Sequence, residues 1–318
     1  MKLSIIVPVY NVEAYVEKCL KSCLLQDFPH NRYEIIVIID GATDNSKKVV
    51  EEIAAKDSIV HVYYQENKGL SVTRNRGVAL ATGDYVWFVD SDDWIDENCL
   101  SDIISKMDTT QCDVMCQTKM YKEGEWNKSS NYHVDDKVAT LEEYLLSESP
   151  NPAQFYIFKR EFLISKKLKF KEGIKHEDSL FTPIALCLAE SVAFYRKPVY
   201  HFLKRADSIT TVYDPKRSED YQYIIKELFS FMSTIKDDDL KHSFGHRIAS
   251  IIKAHLYLGT FLAKPEQNKI NSFYRHNKQY FQILRSEKKM NSKFLYYLYA
   301  YTPLPIVGTY RIGAKLMY

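Results

Sequence analysis

Three carboxylates stand within four positions directly after a short apolar run, in the segment DYVWFVDSDD at residues 84–93. The run at 85–89 is rich in aromatic and β-branched residues, which predicts a buried strand. Side chains at i and i+2 of a strand point to the same face, so Asp90 and Asp92 leave its end in one direction. Two carboxylates so close repel each other unless a cation lies between them, and oxygen ligands suit Mg²⁺ or Mn²⁺. The spacing therefore predicts a divalent metal site.

A polar turn is the alternative interpretation of this segment. Ser91, Asp92 and Asp93 would then cap a helix that begins near Asp96. The glycine-rich loops by which dinucleotide enzymes and P-loop ATPases hold phosphate are missing from the sequence. A nucleotide bound by this chain would need a cation to neutralise its phosphates, which favours the metal site.

The first hundred residues alternate between strand and helix patterns. We predict strands at 3–9, 34–39, 59–64 and 85–89, and amphipathic helices at 12–25, 45–55 and 70–81. Continuous β-branched runs such as IIVII at 35–39 predict an α/β fold with a mostly parallel sheet that is covered on both faces. Ligands of such sheets bind beyond the carboxyl ends of the strands, where polar residues follow all four predicted strands here. Four strand ends are therefore expected to meet at one crevice.

The second part of the chain has a different pattern. We predict strands at 113–120, 192–195 and 199–203, a helix at 177–189, and then helices at 218–235, 240–258, 266–283 and 293–316. We therefore divide the chain into a catalytic domain at 1–215 and a helical C-terminal region at 216–318.

Composition excludes several classes of protein. The chain of 318 residues is 46% hydrophobic and 26% charged, which is typical of a globular protein, and its net charge of +2 provides no field that would attract nucleic acid. The spacing of the six cysteines fits neither a disulfide framework nor a zinc site, which favours buried, reduced thiols. No apolar run reaches the roughly 18 residues of a spanning helix, and the first residues resemble a strand rather than a signal peptide. We expect a cytoplasmic protein.

Five segments together resemble the inverting glycosyltransferases of family 2. They are SIIVPVYN at 4–11, IIDGATDNS at 38–46, NKGLSVTRNRG at 67–77, DSDD at 90–93 and HEDSLF at 176–181. The resemblance covers about residues 1–215. It implies the nucleotide-sugar transferase fold called GT-A, a UDP-sugar donor, and Mn²⁺ or Mg²⁺ as cofactor. One departure is Ile39, which stands where the family usually has an acid before the glycine of its second motif.

The resemblance also implies which residues bind the donor. Tyr10 would stack on the uracil face, and Asp40 would accept a hydrogen bond from uracil N3–H, since a carboxylate cannot donate one. Arg74 would contact base or phosphate, with a surface or helix-packing arginine as the alternative, and Asp44 is interpreted as a helix cap. The full set of donor-binding residues implied by the resemblance is Pro8, Val9, Tyr10, Asp40, Asn67, Gly69, Arg74, Asp90, Ser91 and Arg205.

Metal ligands are assigned in the same way. Asp92 is the direct ligand, Asp90 contacts the ribose or the metal through water, and Asp93 lies on the sugar side. His201 is a further candidate ligand, although a lone histidine near a strand end is more often structural. Arg205 or Lys204 would stabilise the leaving diphosphate electrostatically.

For catalysis, the resemblance makes Asp178 the base that takes the proton of the acceptor hydroxyl, with Glu177 in support. The alternative is that both acids only complement a helix dipole in its first turn.

The last 50 residues combine eight tyrosines with nine lysines or arginines and one acid, Glu287. Aromatic and cationic residues together suit a membrane headgroup region, where the protein would be peripheral on the inner face of the cell membrane; the alternatives are a helical subdomain and a homo-oligomer contact.

We thus expect a transferase that moves a hexose-type residue from a UDP-sugar to a glycan or lipid-linked glycan of a bacterial surface polysaccharide. A sugar-1-phosphate nucleotidyltransferase and a non-catalytic nucleotide- or glycan-binding partner are the alternatives. The sequence leaves the donor sugar and the linkage open.

Overall fold

The computed structural model describes residues 2–124, 132–147, 151–204, 214–286, 292–293, 295–297, 305–308 and 310. Two compact units interleave along the chain. The first comprises 1–139, 149–173 and 188–206, and the second comprises 140–148, 174–187 and 207–318. The segment that contains Glu177 and Asp178 is therefore grouped with the C-terminal helices.

The described helices and strands follow in chain order. They are β1 (Leu3–Val9), α1 (Val16–Leu24), β2 (Tyr33–Asp40), α2 (Ser46–Ala54), β3 (Val60–Gln65), α3 (Leu70–Leu80), β4 (Tyr85–Phe88), β5 (Trp94–Ile95), α4 (Leu100–Thr110), β6 (Val114–Gln117), β7 (Lys119–Gly124), β8 (Tyr132–His133), α5 (Leu141–Leu146), β9 (Tyr156–Lys159), α6 (Arg160–Ser165), α7 (Glu177–Leu188), β10 (Val192–Tyr195), β11 (Tyr200–Lys204), α8 (Pro215–Met232), α9 (Asp238–Gly259), α10 (Lys264–His276) and α11 (Lys278–Ser286).

A seven-stranded sheet forms the core of the first unit, in the order β10-β6-β9-β4-β1-β2-β3. Its pairs are parallel except that β9 runs antiparallel to both β4 and β6. All residues of β1, β2 and β4 are buried, which explains their continuous apolar runs. Helix α3 packs tightly on β1, since a Cβ built on Gly77 would lie 2.3 Å from Ile6 Cγ2. The predicted α/β fold with a mostly parallel sheet is confirmed.

A smaller sheet lies in the same unit, in the order β5-β11-β7-β8. Strand β11 is antiparallel to β5 and parallel to β7. The helix that the alternative interpretation placed near Asp96 begins only at Leu100, with Cys99 as its N-cap, because Trp94 and Ile95 pair with β11. The interpretation of 91–93 as the cap of that helix is therefore wrong.

The second unit contains α5, α7 and the four helices α8 to α11 around its own apolar core. Buried residues of α8 and α9, among them Ile224, Leu228, Phe244 and Ile248, form the centre of that core. Within the described part of the chain, no helix is both long enough and apolar enough to cross a membrane.

Two predicted elements are each divided in the structure. The strand predicted at 113–120 is two strands in different sheets, because β6 pairs with β9 and β10 whereas β7 pairs with β8 and β11. The helix predicted at 266–283 ends at His276 and resumes at Lys278. Strand β9 and helices α5 and α6 were not predicted, and α4 was predicted only in the alternative interpretation. Most of the helix predicted at 293–316 lies outside the described residues.

Candidate active site

The carboxyl ends of β4, β1, β2 and β3 lie side by side along one edge of the large sheet, because these strands are neighbours and parallel. Tyr10 follows β1 directly and is 48% exposed, whereas Pro8 and Val9 are buried within the strand. An exposed ring beside a strand end can stack on a planar base. The stacking role of Tyr10 stays a prediction that this position permits.

Asp40, at the end of β2, accepts hydrogen bonds from the loop that precedes α3. Its Oδ1 accepts hydrogen bonds from Gln65 Nε2 (2.7 Å) and from the Lys68 N–H (2.8 Å), and its Oδ2 accepts one from the Gly69 N–H (2.9 Å). The side chain is buried. Sequence reasoning proposed only a contact with uracil and missed this structural task. The carboxylate therefore fixes the backbone N–H groups of Lys68 and of Gly69, the latter a predicted donor-binding position.

Glycine is required next to Asp40. Gly41 has a φ of +67°, and a Cβ there would lie 2.6 Å from the backbone N of Asn67. A side chain at this position would therefore collide with the loop. The residue would also have to keep a left-handed backbone, which L-residues disfavour. The glycine lets the ends of β2 and β3 approach each other.

Arg74 of α3 reaches the acidic motif. Its Nη2 lies 2.7 Å from Asp90 Oδ1, and its guanidinium carbon lies 5.3 Å from the centre of the Phe170 ring. The arginine is buried, while Asp90 keeps a partly exposed side chain. Both residues were predicted to bind the donor. The structure brings them together, so that the arginine holds the direction of the Asp90 carboxylate.

Asp93 was expected on the sugar side, and that expectation is wrong, since the residue is 2% exposed. Its Oδ2 accepts a hydrogen bond from the Tyr200 hydroxyl (2.7 Å) and its Oδ1 accepts one from the Leu203 N–H (2.8 Å). The Asp90 N–H in turn donates to the Tyr200 oxygen (3.2 Å). Burial, together with the charges of Asp92 and Asp90, raises the pKa of Asp93 well above its ordinary value. Through these two hydrogen bonds, Asp93 joins the acidic motif at 90–93 to β11.

Ser91 is buried and Asp92 is half-buried. In the described residues, no cluster of three or more histidines, cysteines or acids is arranged to hold a metal alone. An ion bound by Asp92 and Asp90 would thus depend on the donor for its remaining ligands, which is how Mg²⁺ commonly binds with substrate phosphates. The assignment of Asp92 and Asp90 as ligands stays a prediction.

His201 lies in a stack of rings on the small sheet. Trp94 and Tyr121 flank the imidazole at 5.1 Å and 4.5 Å between ring centres. Its Nε2 lies 2.7 Å from Asp96 Oδ1, and its Nδ1 lies 3.2 Å from Glu123 Oε1. A metal-ligand role for His201 would require one of these contacts to be exchanged.

A groove of about 650 Å³ borders this stack in the first unit. It is lined by Lys18, Trp94, Asp96 and His201 among others, and neither Asp90 nor Asp92 belongs to its lining. The groove is thus distinct from the sheet edge described above.

Lys204 ends β11, and Arg205 lies outside the described residues. The leaving-group role given to either of them stays a prediction.

Glu177 and Asp178 lie in the first turn of α7, in the second unit. Glu177 is buried and Asp178 is half-buried, and Asp178 Oδ1 accepts a hydrogen bond from the Ser179 N–H (2.7 Å). A half-buried carboxylate at this point is chemically able to accept a proton.

Asp44 is a local cap, as predicted. Its Oδ1 accepts from the Ser46 N–H (3.0 Å) at the start of α2, and its Oδ2 accepts from the Glu13 N–H (2.9 Å). Burial alone would raise its pKa, but these hydrogen bonds outweigh that effect and lower it.

The prediction of free, mostly buried cysteine thiols is also confirmed, since all six cysteines are free and five are buried.

Comparisons with known proteins identify relatives of this chain in sequence and in fold. A protein-family model described as glycosyl transferase family 2 matches residues 4–172 of the chain. The glycosyltransferase GlyA of Streptococcus pneumoniae is 31% identical over 229 residues, which are 68% of this chain but only 32% of GlyA. The chain thus spans about a third of that relative.

TarS of Staphylococcus aureus, a poly(ribitol-phosphate) β-N-acetylglucosaminyltransferase, is 30% identical over 210 residues, which are 65% of this chain and 36% of TarS. The crystal structure of its residues 1–349 with UDP-GlcNAc matches with a TM-score of 0.75 and 24% identity, over 99% of this chain and 91% of that one. A mannosyltransferase of Pyrobaculum calidifontis in complex with GDP-Man and Mn²⁺ matches with a TM-score of 0.61 and 16% identity, over 100% of this chain and 81% of that one. These likenesses establish the GT-A fold.

Proposed function

The chain belongs to glycosyl transferase family 2, and from this premise we propose that it is a metal-dependent, inverting glycosyltransferase with a UDP-sugar as donor. The observation that carries the proposal is the sheet edge at which hydrogen bonds hold Asp40 and an ion pair joins Arg74 to Asp90. All three residues lie within the segment that matches the family.

The residues at this edge fit a divalent cation. Carboxylate oxygens of Asp92 and Asp90 are hard ligands of the kind that Mn²⁺ and Mg²⁺ prefer. Such an ion, when bound, would neutralise the charge that develops on the leaving diphosphate. Arg74 already compensates part of the charge of Asp90, so the pair presents less net repulsion to the donor phosphates.

The residues of this chain would divide the remaining work. Tyr10 binds the uracil face, and Asp40 accepts its N3–H while holding the loop at 67–69. Asp178 accepts the proton of the acceptor hydroxyl as that oxygen attacks the anomeric carbon from the side opposite the diphosphate. A single displacement of this kind inverts the anomeric configuration. Glu177 supports the base.

The relatives support the proposed classes of donor and acceptor. We infer UDP-N-acetylglucosamine as the first donor to test, and a hydroxyl of a bacterial surface polymer as the acceptor. Residues 1–215 would form the catalytic part. The helical region at 216–318, whose last 50 residues are basic and rich in tyrosine, would contact the inner face of the cell membrane or a second copy of the chain.

The test is release of UDP from a panel of UDP-sugars, measured with Mn²⁺ and again after EDTA treatment. We expect release from one donor, loss of activity with EDTA, and recovery when Mn²⁺ is restored. Full activity in chelated enzyme would overturn the metal dependence. A product with the anomeric configuration of the donor, assigned by the proton coupling constant, would overturn inversion. Metal-dependent UDP binding without turnover of any donor would instead support the non-catalytic binding partner.

A further inference from the structure

His176 precedes α7 in an uncommon backbone conformation. Its φ is +62°, in the left-handed region that disfavours every residue with a Cβ. Its carbonyl oxygen accepts the Ser179 N–H at 2.9 Å, which closes the first turn around Glu177 and Asp178. A conformation of this kind persists only where surrounding contacts hold it. The contacts that hold His176 therefore determine how the two acids enter the helix.

The imidazole of His176 is fixed by two residues of α8. It stacks on the Tyr221 ring, with 4.6 Å between ring centres and 18° between planes. Arg217 Nε donates a hydrogen bond to His176 Nε2 at 3.0 Å. A ring nitrogen that accepts carries no proton, so the imidazole is neutral and holds its proton on Nδ1. Burial first, and then the charge of Arg217, lower the pKa of His176 to about 4, which keeps the ring in this form at neutral pH.

The residue before His176 is fastened to the same helix. The Lys175 N–H donates to Asp220 Oδ2 at 2.9 Å, and Lys175 Nζ lies 2.6 Å from Asp214 Oδ2. Asp220 is 1% exposed, and Asp214 caps α8 by accepting the Lys216 N–H at 2.9 Å. Two consecutive residues are thus tied to the first two turns of α8. These contacts, made by Lys175, His176, Arg217, Asp220 and Tyr221, are named the His176 clamp.

The His176 clamp lies close to the predicted base. Burial is the main cause of the raised pKa of Tyr221, and the negative charge of Asp178 contributes to the increase. Asp178 follows His176 by two residues, and the next residue, Ser179, donates its N–H to the His176 carbonyl oxygen, so the base and the histidine belong to one turn of backbone. Arg217 is buried as well, so its charge acts in surroundings where water screens it little.

We propose that Arg217 and Tyr221 are positioning residues that set the orientation of Asp178 through His176. The inference rests on the proposed function, in which Asp178 is the base. All of its members lie beyond residue 172, where the match to the family ends. A misdirected base slows proton transfer but leaves donor binding intact, because the base contacts the acceptor and not the nucleotide.

The experiment compares Arg217→Met, Arg217→Lys and Tyr221→Leu with wild type and with Arg285→Met, an exposed arginine of the same unit. For each, kcat and KM for the active UDP-sugar, the Kd for UDP and the melting temperature are measured. We expect Arg217→Met and Tyr221→Leu to lower kcat at least tenfold with KM and Kd within threefold of wild type. Arg217→Lys should recover kcat to within fivefold, and Arg285→Met should match wild type. If Arg217→Met does not fold, Arg217→Lys and Tyr221→Leu carry the comparison.

A second readout does not need activity. The titration of the His176 ring is followed by NMR of histidine-labelled protein, with the signal assigned from His176→Gln. Loss of the Arg217 charge in Arg217→Met should raise the pKa of His176 from about 4, whereas Arg285→Met should leave it unchanged. If the wild-type enzyme is active but Arg217→Met has an unchanged kcat and an unchanged His176 titration, the clamp is overturned and the proposed function is not. Wild type that turns over no nucleotide sugar would overturn the proposed function, and the titration would still report whether the clamp forms.

Discussion

Arg74 Nη2 lies 2.7 Å from Asp90 Oδ1, and the arginine side chain is 2% exposed whereas that of Asp90 is 24% exposed. This contact joins α3 to the end of β4 and sets the direction of a predicted metal-binding carboxylate. Arg74→Met should lower the free energy of unfolding by about 2 kcal/mol, less than for a fully buried pair because water reaches Asp90. Urea denaturation measures the loss. The double variant with Asp90→Asn should be no less stable than Arg74→Met, and a stability equal to wild type in Arg74→Met would contradict the role of the pair.

Gly41→Ala separates a steric effect from a conformational one. The added Cβ would meet the backbone N of Asn67 at 2.6 Å and displace the loop that Asp40 holds. We expect a loss of about 3 kcal/mol in unfolding free energy and a KM for the donor raised about tenfold. Gly173→Ala is the matched control, since Gly173 has a φ of +77° but no atom within 4 Å of a built Cβ. It should lose only about 1 kcal/mol. Equal losses in the two variants would remove the collision from the explanation.

Much of the first unit could be predicted because its signals are local. Strand β1 was predicted with the bounds that the structure gives it, and the buried β-branched run of β2 indicated a parallel sheet. The sheet edge also followed from position alone, since Asp40 and Asp90 stand where strands end. The side-chain contacts made at this edge could not be predicted from position along the chain. Arg74 meets Asp90 across 16 residues, and no pattern along the chain indicates which of several carboxylates it selects.

Hydrogen bonds between residues far apart in the sequence could not be predicted either, because no local pattern indicates the partner. Asp93 joins Tyr200 over 107 residues, and His176 joins Arg217 over 41. Strand β9 has only four residues, too few for a reliable alternation signal, and it takes its place by pairing with β4 and β6. The positive φ at His176 could not be expected either, because the sequence there has no glycine.

The buried carboxylate of Glu34 should make stability depend on pH. Its Oε1 accepts hydrogen bonds from Ser4 Oγ (2.6 Å) and from the N–H and hydroxyl of Thr82 (2.7 and 2.8 Å). Burial alone would raise the pKa, but these bonds and the Lys2 charge lower it below the ordinary 4.5. A lowered folded-state pKa gives stability that is present above about 4.5 and is lost as the pH falls through the folded value. Glu34→Gln should therefore cost about 2 kcal/mol at pH 7 and progressively less below pH 4.5.

Denaturant titrations of wild type and Glu34→Gln between pH 7 and pH 3 measure this difference. Glu66→Gln, a change at an exposed acid, is the control and should stay within about 0.5 kcal/mol of wild type throughout. A Glu34→Gln cost that does not change across this range would show that packing, and not the charge, explains the effect.

Asp92→Ala should weaken both metal-dependent binding and turnover. The half-buried carboxylate is the predicted direct ligand, so its loss removes the main protein contact of the ion that would hold the diphosphate. We expect the Kd for UDP in the presence of Mn²⁺ to rise at least tenfold, and the Kd without metal to stay as in wild type. Isothermal titration calorimetry with and without Mn²⁺ measures both. An unchanged Mn²⁺-dependent Kd would exclude Asp92 as the ligand.

Asp178→Asn should abolish transfer and spare donor binding. An amide has the shape of the carboxylate but cannot take up the proton of the acceptor hydroxyl, so only the chemical step is affected. We expect kcat to fall at least a thousandfold, with the Mn²⁺-dependent Kd for UDP within twofold of wild type. The opposite pattern in Asp92→Ala provides the comparison, since that variant loses affinity first. Because Asp178 begins α7 and its Oδ1 accepts the Ser179 N–H, the melting temperature of Asp178→Asn must be measured beside the kinetics. A folded Asp178→Asn enzyme that turns over at the wild-type rate would remove this residue from the mechanism and leave the proton of the acceptor to another group.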